Sequence, residues 1–185
     1  MYIEDGTGKG YKAKVDSRNL LECNAIEEPT YGYVSRVAKR AFVATSAAIT
    51  TDGTANNVFI LKNPSDTRNV VVVQLDISCT TTQTIVVNLD QTYTSGGTGV
   101  TPTNLNRASA VLSAVTNTDC YYGDDMTLGG TAIIYSQFVN LATVPFREDF
   151  HNALILGQGD ALSVSLNAAT GTAYVSVKYY EVATE

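Results

Sequence analysis

The sequence predicts an all-β chain, an antiparallel β-sandwich of jelly-roll type behind an extended N-terminal arm. Three observations carry this. Apolar residues recur with a period of two, most plainly in Leu162-Ser163-Val164-Ser165-Leu166. The apolar stretches are short and are bounded by Gly, Pro, Asn, Asp or Ser. Eight or nine of them follow one another with almost no helical stripe, the count and spacing of a two-sheet sandwich, of which the jelly roll is the eight-stranded form.

Residues 1–30 are read as the arm and residues 31–185 as the sandwich. The arm lacks a sustained period, opens on the glycine-rich stretch IEDGTGKGYKAKV and ends in Glu27-Glu28-Pro29-Thr30, where the proline biases its predecessor away from helix. One short strand is expected at Tyr11 to Val15, where residues alternate. The glycines do not form a phosphate cradle. Gly6, Gly8 and Gly10 miss both nucleotide-binding spacings, only Met1, Tyr2 and Ile3 stand before the stretch to supply the strand such a loop needs, and the alternating Tyr11-Lys12-Ala13-Lys14-Val15 follows in place of a helix.

Residues 33–42 carry a helical stripe of Val34, Val37, Ala38, Ala41 and Phe42, whereas Ala41 to Thr51 reads as a strand, so a short helix or turn leading into the first body strand is expected. Asn57 to Leu61 is stopped by the turn cluster Lys62-Asn63-Pro64-Ser65-Asp66. The run Val70-Val71-Val72-Val73 within Val70 to Ile77 implies burial on both faces. Thr84 to Leu89 alternates cleanly. Thr131 to Val139, Ala153 to Leu156, Leu162 to Leu166 and Ala173 to Val182 complete the strands, with a weaker candidate at Ser109 to Val115. Gln91 to Ala108 and Thr116 to Gly130 read as long loops.

Composition narrows the function. Charged residues make up 16% of the 185 and hydrophobic ones 44%, a low surface charge that points to a surface covered by a partner. The net charge is −6, and it is unevenly spread: residues 1–40 hold seven Lys and Arg against six Asp and Glu, residues 41–185 five against twelve. An acidic body argues against a general nucleic-acid binder. No apolar run approaches a membrane span, and no leader pattern opens the chain, so neither membrane nor secretion is expected. Cys23, Cys79 and Cys120 are odd in number and show no metal or redox spacing, so free buried thiols and folding in a reducing cytosol are expected. Asn63-Pro64-Ser65 carries the proline that forbids glycosylation, consistent with a bacterial or viral product.

Little here suggests catalysis. His151 is the single histidine, so any Ser-His-Asp scheme or histidine-based metal site must run through it; no G-x-S-x-G elbow exists, and a strand-end histidine satisfied by a neighbouring carboxylate or carbonyl is the expected role. Asp119, Asp124 and Asp125 could offer oxygen ligands to calcium, though their spacing is not that of an EF-hand, and turn-forming aspartates are the plainer reading. Among the eleven tyrosines, each adjacent pair, Tyr121-Tyr122 and Tyr179-Tyr180, is expected to place one ring in the core, and Tyr121 or Tyr122 could stack on a sugar. No cofactor is expected.

The opening from Glu4 to Asp16, followed by Asn19-Leu20-Leu21, resembles the N-terminal arms of tailed-bacteriophage virion proteins. The body resembles trimeric jelly-roll capsid decoration, or cement, proteins: a strand closed by Leu61-Lys62-Asn63-Pro64, a long loop with Pro102-Thr103-Asn104-Leu105-Asn106-Arg107, and the strand, glycine turn and strand of Leu154 to Val164. The resemblance implies a homotrimer on the capsid exterior, made in the host bacterial cytoplasm, with the major capsid protein as partner. Trimerisation would bury apolar residues left outside the sandwich, such as alternate members of Val70 to Val73. The arm would lie across capsid subunits, Lys9, Lys12 and Lys14 supplying charge contacts and Tyr2, Ile3, Tyr11 and Val15 apolar anchors, with strand addition through Tyr11 to Val15 as one mode. The competing reading is a tail, baseplate or head-fibre module that binds host-surface carbohydrate through its two long loops.

Overall fold

A computed structural model describes residues 2–4, 12–15, 21–22, 34–54, 56–167 and 169–184. Its body is a sandwich of two antiparallel sheets. The first contains β4 (Ala41–Thr45), β5 (Ile49–Asp52), β7 (Arg68–Cys79), β11 (Thr103–Asn104), β14 (Phe146–Leu156) and β16 (Thr170–Ala183), in the order β11-β4-β16-β7-β14 with β5 also on β16. The second contains β6 (Asn56–Lys62), β8 (Gln83–Leu89), β9 (Thr92–Ser95), β10 (Thr98–Gly99), β12 (Cys120–Gly129), β13 (Ile133–Asn140) and β15 (Ala161–Leu166), in the order β10-β12-β6-β15-β8-β13 with β9 on β12. The chain therefore crosses between layers repeatedly, and β13 and β14, consecutive in sequence, end the two sheets.

Period-two patterning decides which residues fill the space between the layers. Leu162, Val164 and Leu166 of β15, Ile85 and Val87 of β8, Val70, Val72, Leu75 and Ile77 of β7, and Val175, Val177 and Tyr179 of β16 all belong to one buried cluster. Each such side chain contributes about 1.5–3 kcal/mol on burial, which is what offsets the ordering of the strands. At the β13/β14 border the rings of Phe138 and Phe146 stack with centroids 3.5 Å apart and close the gap between the layers.

The outer faces are also partly covered. Val34, Ala41, Val71 and Tyr180 form a second cluster, capped by a π-helical turn at Val34–Ala38. This accounts for the four-valine run: Val70 and Val72 face the main core and Val71 faces that turn, so the expectation that alternate members await a trimer partner is corrected. Their cover comes from the same chain. On the other sheet Ile60, Met126 and Ala161 pack beneath Tyr93, Tyr121 and Leu128, residues of the β9 and β12 ribbon.

The stretch expected as a loop at Thr116 to Gly130 is mostly the ten-residue strand β12, which pairs with β6 and then β9 across a register shift between Tyr122 and Met126. Its aspartates and glycines read as turn formers, but the bulge accommodates them within a strand. Ser109 to Val115 is not a strand; its Ser113 and Ala114 are held instead by the buried carboxylate of Glu181. Gln91 to Ala108 contains the short strands β9, β10 and β11.

The N-terminal segment contains β1 (Tyr2–Glu4), β2 (Lys12–Val15) and β3 (Leu21–Glu22), an antiparallel sheet with β2 in the middle. The strand expected at Tyr11 to Val15 is thus present over Lys12–Val15, with two companions.

Candidate functional site

Three carboxylates converge at one end of the sandwich. Asp52 ends β5, and Asp124 and Asp125 sit in the bulge of β12; one oxygen from each lies within 4.8 Å of the others. Asp119, which sequence spacing groups with them, is elsewhere: its Oδ2 accepts from the Thr116 N–H and hydroxyl, the role of a turn aspartate. Asp52, more than seventy positions upstream of Asp124, is the member that no local spacing could reveal. The bulge that joins them puts Asp125 at φ 58°, a left-handed conformation that Asp tolerates better than most residues.

Neutral donors organise the cluster. Thr54 donates its N–H at 2.8 Å and its hydroxyl at 2.7 Å to Asp52 Oδ1, and Asn56 Nδ2 donates to Asp124 Oδ1 at 2.7 Å and to Asp52 Oδ1 at 3.3 Å. The Thr54 hydroxyl and N–H hold the Asp52 carboxyl below its ordinary value, against a smaller opposing effect of burial. No lysine or arginine among the described residues forms an ion pair with any of the three. An all-oxygen donor set of this kind is chemically suited to a hard divalent cation such as calcium, and without one it accumulates like-charge repulsion.

His151 does not open its strand. It lies in a bulge within β14, where the register against β7 shifts between Asp149 and Leu154 and both His151 and Asn152 have positive φ. Its N–H donates to Asp149 Oδ1 at 2.9 Å, and its Nδ1 is 3.6 Å from the same oxygen. A carboxylate partner is therefore present, and both side chains are exposed. Cys79 and Cys120 are free and buried as expected; burial pushes both thiols up, aided at Cys120 by the charge of Asp119 and opposed at Cys79 by the side-chain amide of Asn140. Cys23 lies outside the described residues.

The tyrosine pair read as a possible sugar platform is half-buried. Tyr121 stacks on Tyr93 with centroids 3.7 Å apart and planes 5° apart, and Tyr122 packs against the main core. Of the arm residues expected to touch a capsid, Tyr2 and Ile3 are on β1, and Lys12, Lys14 and Val15 are on β2; Lys9 and Tyr11 lie outside the described residues. Within β2, Lys14 is paired on both sides, Lys12 and Ala13 pair with β1 alone, and Val15 pairs with β3 alone.

What sequence reading missed is an apolar edge. Ile133, Ile134, Val139, Leu141 and Val144, on β13 and the turn after it, are each more than half exposed. A signal was available: residues 126–146, the 21 positions between Asp125 and Arg147, hold no charged residue and form the longest such run in the chain. Edge strands are ordinarily guarded by charges or proline. β13 has neither, and it sits at the open end of its sheet.

No protein-family model, no curated protein and no solved structure matches this chain.

Proposed function

We propose that the chain is a structural protein of a bacteriophage virion, one that decorates and stabilises the capsid exterior as a homotrimer while its N-terminal segment docks on the major capsid protein. The observation that carries the reading is the unguarded apolar edge at β13. Covering five half-exposed aliphatic side chains contributes roughly 1 kcal/mol each, a useful share of the ~4–15 kcal/mol that association costs. The orders β4-β16-β7-β14 and β6-β15-β8-β13 support reading the sandwich as an eight-stranded jelly roll with β12 added beside β6. The slightly basic first forty residues and acidic body support a division between docking segment and body. We assign no catalytic role, since among the described residues the one ion-pair partner of His151 is the exposed Asp149.

Two measurements test the reading. Analytical ultracentrifugation of the full chain should give a trimer, and Val139→Lys, which places an unpaired charge in the contact, should give monomer with unchanged circular dichroism. A wild-type monomer at micromolar concentration would sink the trimer. Co-sedimentation with empty capsids should be lost on deletion of residues 1–28, and undiminished binding would remove the docking role.

A second reading, a tail, baseplate or head-fibre module binding host-surface carbohydrate, is favoured by the half-exposed Tyr174 ring on the outer face of the first sheet. Copy number per particle separates the two: coverage of the shell supports decoration, and a few copies at one vertex support the fibre.

A further inference from the structure

We infer that the outer face of the first sheet, at the crossing of β4, β16, β7 and β14, is a binding site for a pyranose-sized saccharide. The sequence sets up the site through register. Ser176 lies opposite Thr45 on one side and Asp76 on the other, and Asp76 lies opposite Arg147. One row of polar side chains therefore runs across four strands, about 14 Å at the usual strand spacing. Tyr174 is two residues from Ser176 on the same face, so its ring stands beside that row, 47% exposed.

These groups line a depression of about 250 Å³, together with Pro145. That is slightly under the ~300–1,000 Å³ of sites for drug-sized ligands, which suits one sugar ring. A pyranose offers C–H groups on its faces and hydroxyls around its rim, so it needs an apolar ring against the former and mixed donors and acceptors against the latter. Tyr174 provides the ring, on a strand hydrogen-bonded on both sides. The Thr45 and Ser176 hydroxyls, 3.0 Å apart, provide groups that can donate or accept.

The charged pair is held in place before any ligand arrives. Arg147 Nε donates to Asp76 Oδ1 at 2.7 Å, Gln74 Nε2 donates to Asp76 Oδ2, and Lys178 Nζ is 3.7 Å from the same oxygen. Arg147 uses only its Nε in that bond, which leaves its terminal N–H groups to donate to sugar hydroxyls. Fixed partners reduce the ordering that binding requires. The other depressions lack this combination: that around Asn56, Asn57 and Ser165 has no aromatic ring, and that around Pro102 and Leu112 has no fixed acid–base pair. The site agrees with the second functional reading but does not rest on it, since a decoration protein could carry it equally.

The test uses the isotope-labelled full chain and four probes at millimolar concentration: D-glucose, D-galactose, D-mannose and N-acetyl-D-glucosamine. At least one should shift the amide signals of Thr45, Ser78, Tyr174, Ser176 and Arg147, and saturation transfer should reach its ring protons. Tyr174→Ala should weaken that binding about tenfold or more, Tyr174→Phe should retain it, and Arg147→Gln should weaken it with the fold intact. Should Tyr174→Ala fail to fold, the Arg147→Gln arm decides. The absence of shifts with all four probes, shifts elsewhere on the chain, or binding indifferent to both substitutions would each overturn the assignment. Trimer formation and capsid co-sedimentation are separate readouts, so their failure leaves this result standing.

Discussion

Glu181→Ala should be the most damaging single substitution among the polar residues of the sandwich, because one buried carboxylate fastens three parts of the chain. Glu181 lies near the end of β16, and its side chain has no exposed surface. Its Oε2 is 3.1 Å from Arg40 Nη1, and its Oε1 accepts from the Ser113 hydroxyl and the Ala114 N–H, both at 2.7 Å. The Ser113 oxygen in turn lies 2.6 Å from the Tyr179 hydroxyl; since the serine proton goes to Glu181, Tyr179 is the donor there. Removing the carboxylate breaks a buried ion pair, about 3–5 kcal/mol when both partners are desolvated, and orphans two donors at roughly 1–3 kcal/mol each if water cannot reach them. Arg40 is 27% exposed and recovers some hydration, so the low end applies, near 3 kcal/mol. For a chain of this size that corresponds to a fall in Tm of about 6–12 °C. Urea unfolding would measure the loss. Hydrogen exchange should show Ala114 and Val115 losing protection before the strands of the main core. Glu181→Gln, which keeps the acceptor for Ser113 and Ala114 but not the charge opposite Arg40, should cost about half as much. A Glu181→Ala loss below about 1 kcal/mol would refute the reasoning, as would a glutamine variant weaker than the alanine.

Other consequences are measurable in the same way. Asp125→Asn removes one of three converging carboxylates while keeping a residue that tolerates positive φ, so in a chelating buffer it should raise stability by about 0.5–1 kcal/mol in urea unfolding; a loss instead would mean that the charge is compensated. Asp76 is pushed up by partial burial, but hydrogen bonds from Arg147 and Gln74 and the charges of Arg147 and Lys178 outweigh this and hold it below its ordinary value of 3.8. A depressed carboxyl contributes stability that is complete above that value and is lost as pH falls through the folded one. Urea midpoints should therefore drop below about pH 4, and less steeply in Asp76→Asn. Cys79 and Cys120 should resist iodoacetamide in the native protein and react once it is unfolded, as peptide mapping would detect.

Side-chain alternation was legible wherever one strand faced one core. Leu162 to Leu166 needed nothing beyond its own five residues, and the valine run declared burial on both faces although not what lay over the outer one. Turn chemistry misled at Cys120–Gly129, where glycine and aspartate are accommodated by a bulge whose position depends on the partner strand β6. The same bulge decides which acids meet, bringing Asp124 and Asp125 to Asp52 and leaving Asp119 to a local turn.

By itself, then, the sequence determined the all-β class, the identity of most inward-facing residues and the absence of a recognisable catalytic motif, because each follows from local period or spacing. Only the tertiary structure decided that β13 ends its sheet with its apolar residues uncovered, that the π-helical turn covers Val71, and that Thr45, Ser176, Asp76 and Arg147 align in one row. Those facts depend on the register between strands far apart in sequence. Register is fixed by the packing of two whole sheets and not by any segment alone.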